Sequence, residues 1–114
     1  AVALASIAAM SIDALALTLH EWADGDHLLE AARGDRPRYR RLVGQVELVV
    51  DELRKRVGGT YTLAELAAAY RDADGWARQV IEERAPSPGW PRDLSLVLAA
   101  AFHAYRRGAS DFAP

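Results

Sequence analysis

Five arginines, Arg33, Arg36, Arg38, Arg40 and Arg41, fall within nine residues of this chain, with Asp35 the one carboxylate among them. A guanidinium offers a planar fork of N–H donors that matches a carboxylate or a phosphate, and it stays charged at any physiological pH. Such a density of forks suits an anion: an acidic protein segment, a phosphate, or the backbone of a nucleic acid. Two readings compete. In one, the arginines are a solvated patch, neutralised by Glu30, Asp35 or carboxylates that folding brings near. In the other they are a binding surface, with Arg36, Arg38, Arg40 and Arg41 as the contacts. The second gains weight from position. The cluster crowds the start of a helix, where the macrodipole is positive and cations are unfavourable by about 0.3–1 kcal/mol each when exposed. Tyr39, inside the cluster, has a face on which a base could stack, but it also falls on an apolar helix face where burial is expected.

The three histidines offer less. His20, Asp24 and His27 have a superficial metal-ligand spacing, and positions four apart on a helix can share an ion. Gly25 is expected to break the helix before His27, and the HExxH pattern of zinc proteases is absent because Asp24 stands in place of the second histidine. No metal site and no cofactor is expected. His103 follows Phe102 beside an apolar stripe and reads as a partly buried structural histidine. Nucleophile elbows, phosphate loops and dinucleotide fingerprints are missing. With no cysteine, thiol catalysis, disulfides and cysteine-ligated zinc are excluded. The chain is therefore read as no enzyme.

Two further interaction candidates remain. Trp90, framed by Gly89 and Pro91, is a rigid aromatic that either anchors a partner or plugs the end of the fold. Residues 62–84 read as two short helices joined near Asp72–Gly75, the size of a helix-turn-helix. The detail opposes a standard one: the residue four before Gly75 is the bulky Arg71, and Glu82 and Glu83 in the second helix would repel phosphates.

The elements that must position these residues are all helical. Ile12, Leu15, Leu19 and Trp22 recur at helical spacing behind a Ser11 N-cap, and Asp24-Gly25-Asp26 is expected to end that segment before a short helix over 27–33. Pro37 suits a first helical turn. Leu42, Val46, Val49, Leu53 and their neighbours then mark one broad apolar face up to the stop at Gly58-Gly59. Thr62 and Glu65 form a capping box, with Tyr61 and Leu66 at the staple positions. The Pro-rich run 85–91 is a loop. Leu94, Val97, Leu98, Ala101, Phe102 and Tyr105 form a last helix whose Arg106-Arg107 suit its negative end. The expected fold is an all-α, compact single-domain bundle of four to six helices, centred on the helices at 37–57 and 91–107.

Composition bounds the rest. A chain of 114 residues is one domain and buries roughly 65% of the surface its unfolded form exposes. Its 23 alanines, and its 13 arginines against one lysine, read as the bias of a GC-rich, bacterial genome. The net charge of -2 selects no partner class. Residues 1–10 are almost wholly apolar, too short for a bilayer span of about 20 residues and without the basic leader of a secretory signal. Either Met10 is a native start behind upstream sequence, or this stretch begins a long first helix. Residues 11–108 form the domain and 109–114 a tail. The expected role is a non-enzymatic cytoplasmic interaction or regulatory protein, binding a protein partner or a second copy of itself. The alternative is nucleic-acid binding through the cluster from Arg33 to Arg41 or a divergent helix-turn-helix at 62–84.

Overall fold

The computed structural model describes residues 11–108; the expectations for the apolar start and for the tail lie outside the described residues. The described residues form four α-helices: α1 (Ile12–Ala31), α2 (Arg36–Arg56), α3 (Leu63–Arg84) and α4 (Trp90–Gly108), with a 3-10 turn over Ala32–Gly34 between the first two. The all-α bundle is as the sequence predicts, at the lower end of the expected helix count, because two expected breaks are not made.

The first unmade break is in α1, which runs through Asp24-Gly25-Asp26 without interruption. Gly25 is buried where α1 crosses α4, and a Cβ there would lie 2.4 Å from the Cβ of Ala99. A helical glycine is unfavourable by about 1 kcal/mol relative to alanine, but here its missing side chain lets two backbones close together. The second is in α3, which is continuous through Gly75. Leu66, Ala73, Ala77 and Ile81 are buried, and their spacing stays in helical phase across the glycine. Asp72, Asp74 and Gly75 fall on the exposed side. The segment 62–84 is thus one helix, and no helix-turn-helix forms there.

The end signals that were expected do operate. Ser11 Oγ accepts from the N–H of Ala14 at 3.0 Å. Thr62 Oγ1 accepts from the N–H of Glu65 at 3.1 Å, and the Thr62 N–H donates back to Glu65 Oε1 at 2.8 Å. Gly58 takes a positive φ of 81° to end α2. Gly89, at φ 79°, turns its carbonyl onto the N–H groups of Arg92 and Asp93 to begin α4.

The bundle is organised around α4, which packs on all three other helices and most extensively on α1. Val97, Leu98, Ala99, Ala100, Ala101 and Phe102 are six successive buried positions; a helical stretch buried all round is one that neighbours enclose. The other expected central helix, α2, lies on a flank of α4. Trp22 meets Phe102 at 5.5 Å between ring centroids and Tyr70 at the same separation, so α1, α3 and α4 share one aromatic cluster. Tyr61 OH donates to the carbonyl of Tyr105 at 3.2 Å, satisfying one of the carbonyls that a helix C-terminus leaves open. Tyr105 OH donates in turn to the carbonyl of Gly58. Gln45, the one buried polar residue among those described, donates from Nε2 to the carbonyl of Ala85 and to Ser87 Oγ, both at 3.0 Å. It ties the loop after α3 to the middle of α2.

These pairings fix directions. Arg38 near the start of α2 reaches Asp93 near the start of α4, and Gly58 just past α2 meets Tyr105 near the end of α4. The two helices are therefore parallel, with both N-termini at one end of the bundle.

Candidate functional site

At that end the arginine cluster divides into three groups. Arg38 turns inward: its Nη2 lies 3.2 Å from Asp93 Oδ1, with the aspartate side chain 13% exposed. This is a structural link between α2 and α4, not a surface contact. Asp35 caps α2 by accepting from the N–H of Arg38 at 3.3 Å, so the carboxylate inside the cluster is committed to the helix start.

Arg36 and Arg40 are one helical turn apart and line a groove of about 360 Å³ together with Arg33 and Tyr39. Neither Arg36 nor Arg40 has a carboxylate within ion-pair distance among the described residues. Arg33 is held differently. Its Nε is 2.5 Å from Glu30 Oε2 and its Nη2 donates to Glu30 Oε1 at 3.3 Å, a two-point pair. The hydrogen bond to Glu30 keeps this guanidinium above its ordinary pKa. It also lies over the Tyr39 ring, 5.4 Å from the centroid, the geometry of a cation–π contact. Tyr39 is half-buried, packed on the core and offered to the groove by one edge of the α2 face. Arg41 is exposed and stands about 100° around the helix from Arg40, outside the groove lining.

Trp90, the first residue of α4, is half-buried against the core and does not line this groove. Of the residues expected as contacts, the structure brings Arg36 and Arg40 together, sets Arg41 and Trp90 apart, and assigns Arg38 to the fold. It adds Arg33 and Tyr39. The sequence places Arg33 in the same basic cluster, but it reaches the groove from the 3-10 turn ahead of α2 and not from the α2 face itself.

The helix dipoles reinforce the charge. The parallel N-termini of α2 and α4 each carry roughly half a positive charge, so the arginines stand on an end of the bundle that already favours anions.

Elsewhere the chemistry is sparse. Because α1 is unbroken, His20, Asp24 and His27 do share a face, with His20 Nε2 3.5 Å from Asp24 Oδ2, but no group of three or more His, Asp and Glu among the described residues could hold a metal ion. His103 Nε2 lies 3.9 Å from Asp26 Oδ2 across the α1–α4 contact. Burial raises the hydroxyls of Tyr61 and Tyr105 above their ordinary pKa. Burial raises that of Tyr70 further, helped by its hydrogen bond to Glu21. The large apolar side chains exposed on α1, Ile12, Leu17 and Leu28, are separated by Glu21 and Asp24 and make no continuous strip. No helix of the described residues is long and apolar enough to cross a membrane.

Comparison with protein-family models, with curated proteins and with solved structures gave no match.

Proposed function

We propose that this chain is a non-enzymatic cytoplasmic interaction protein, and that the groove of Arg33, Arg36, Tyr39 and Arg40 receives an acidic segment of a partner protein. The observation that carries this reading is the pair Arg36 and Arg40: two guanidiniums side by side on one groove, without carboxylate partners among the described residues, at the end where two helix N-termini meet. Folding alone gives no reason for them. The packing of α2 is carried by Leu42, Val46, Val49 and Leu53 on its other side, and cations at a helix start oppose the macrodipole.

The test is fluorescence anisotropy with a labelled Asp/Glu-rich peptide at two salt concentrations. Arg36→Ser with Arg40→Ser should weaken binding about tenfold, since each exposed charge contact contributes about 0.5–1 kcal/mol. Arg71→Ser, exposed on α3, should leave it unchanged. Arg38 is kept out of the test because its loss would disturb the fold through Asp93. Equal affinity for wild type and the double variant would refute the groove as the contact. A labelled duplex that bound more tightly than the peptide, with a steep salt slope, would replace this reading with nucleic-acid binding.

A further inference from the structure

We infer that the anion suited to this groove is a phosphoryl group on a side chain of the partner protein, and that Glu30 is the resident carboxylate it displaces. The inference rests on the acidic-partner reading and narrows it to one ligand chemistry.

Arg33 is the one arginine of the groove that is already engaged. Its fork is filled by Glu30 at two points. Both residues are exposed, and the pair spans three positions of one segment, so it joins no two helices. Nothing in the packing requires it. What the pair does is place at the groove the contact that a partner's carboxylate would make. A glutamate or aspartate from outside would exchange one such pair for another. It would do so against a competitor tethered three residues away, whose effective concentration is high. A single carboxylate therefore gains little at Arg33.

A phosphomonoester is different in charge and in shape. It carries about −1.5 to −2 at pH 7 and three strong acceptor oxygens. It can take the fork of Arg33 from Glu30 while its other oxygens accept from Arg36 and Arg40, which are open on the same groove. The Tyr39 ring holds the Arg33 guanidinium over its face, so the fork stays oriented when Glu30 leaves. A phosphodiester in a nucleic acid brings one charge per phosphate and two non-bridging oxygens instead of three. It lacks the advantage that lets a monoester outcompete Glu30. Glu30 thus acts as a threshold that a dianion passes and a monoanion does not.

The experiment uses one labelled acidic peptide in three forms, with serine, glutamate or phosphoserine at its centre, against the full chain and its variants. For wild type the phosphoserine form should bind about tenfold more tightly than the glutamate form. Glu30→Gln, at an exposed position, should raise affinity for the glutamate form several-fold and narrow that ratio. Arg36→Ser with Arg40→Ser should remove the preference for phosphoserine. The preference should shrink between pH 7.5 and 5.5, as the second phosphate ionisation near pH 6 is suppressed. Inorganic phosphate as competitor should displace the phosphopeptide weakly, separating a free ion from a phosphorylated segment. Equal binding of the glutamate and phosphoserine forms, or a ratio unmoved by Glu30→Gln, would overturn the role given to Glu30 and leave the acidic-partner reading standing. Failure of all three forms to bind wild type would overturn both. Single-stranded DNA binding as tightly as the phosphopeptide would overturn the phosphoryl assignment.

Discussion

Gly25→Ala is the substitution that most directly probes the architecture. An added methyl would stand 2.4 Å from Ala99 Cβ, 3.0 Å from Ala100 N and 3.2 Å from the carbonyl carbon of Ala99. Comfortable carbon–carbon contact is about 3.5–4.0 Å, so the nearest approach is short by more than an ångström. Two of the three neighbours are backbone atoms of α4, which cannot rotate aside. Relief requires α1 to move off α4, and that is the most extensive contact in the bundle. Overpacking is unfavourable by about 1–3 kcal/mol, and an approach this short against backbone belongs in the upper half of that range, about 2–3 kcal/mol. The better helix propensity of alanine offsets about 0.8–1 kcal/mol of it. The net expectation is a loss of about 1–2 kcal/mol. In urea unfolding followed by circular dichroism, with a slope of about 1–2 kcal/mol/M, this lowers the midpoint by about 1 M. Ala99→Gly removes the nearest clash. Combined with Gly25→Ala, it should show a favourable coupling of about 1 kcal/mol relative to the sum of the singles. A Gly25→Ala protein as stable as wild type, or more stable, would refute the close crossing of α1 and α4.

The same substitution at Gly75 should act in the opposite direction. A Cβ there meets nothing within 4 Å, so Gly75→Ala should stabilise by about 0.5–1 kcal/mol and raise the thermal midpoint by a few degrees. A loss of stability would argue for a turn in α3. Alkaline pH tests the aromatic core. Tyr61, Tyr70 and Tyr105 all have folded-state pKa values raised above the ordinary 10.0. The stability they lend is therefore fully present below about pH 10 and is lost as pH rises through the folded values. The urea midpoint should fall steeply above pH 10, and Tyr70→Phe, which cannot ionise, should soften that fall. An unchanged alkaline limb in this variant would place the Tyr70 hydroxyl in solvent.

Much of the fold was legible because its signals are local. The Ser11 cap, the Thr62–Glu65 box and the Gly58 stop each depend on residues within a few positions, and each operates as its spacing predicts. Gly25 and Gly75 misled for one shared reason. A glycine next to aspartate, as in Asp24-Gly25-Asp26 and Asp74-Gly75, carries turn propensity, yet its effect on a helix is only about 1 kcal/mol. Burial of residues such as Trp22 and Leu29 on one side of Gly25, or Ala73 and Ala77 around Gly75, readily exceeds that. The apolar stripe kept its phase across both glycines. That phase was the better guide, because a real turn would have shifted it. Gln45 was not legible at all: its partners at Ala85 and Ser87 lie 40 and 42 positions away, and a mid-helix glutamine carries no local mark of burial.

The arginine cluster shows where local reading of a site stops. Sequence density treats its members alike, but what separates them is the phase of each around α2 and what α4 brings against that phase. Arg38 faces inward and meets Asp93, 55 positions away. Arg36 and Arg40 face the other way and share a groove with Arg33. The pairing follows from the parallel course of α2 and α4, which is a property of the assembled bundle. The same course aligns two helix N-termini beneath the unpaired arginines, so one topological fact both neutralises Arg38 and strengthens the field at Arg36 and Arg40. An anion arriving at this end would meet charges that folding has sorted, with the structural cation consumed by Asp93, Arg33 guarded by Glu30, and Arg36 and Arg40 left to solvent.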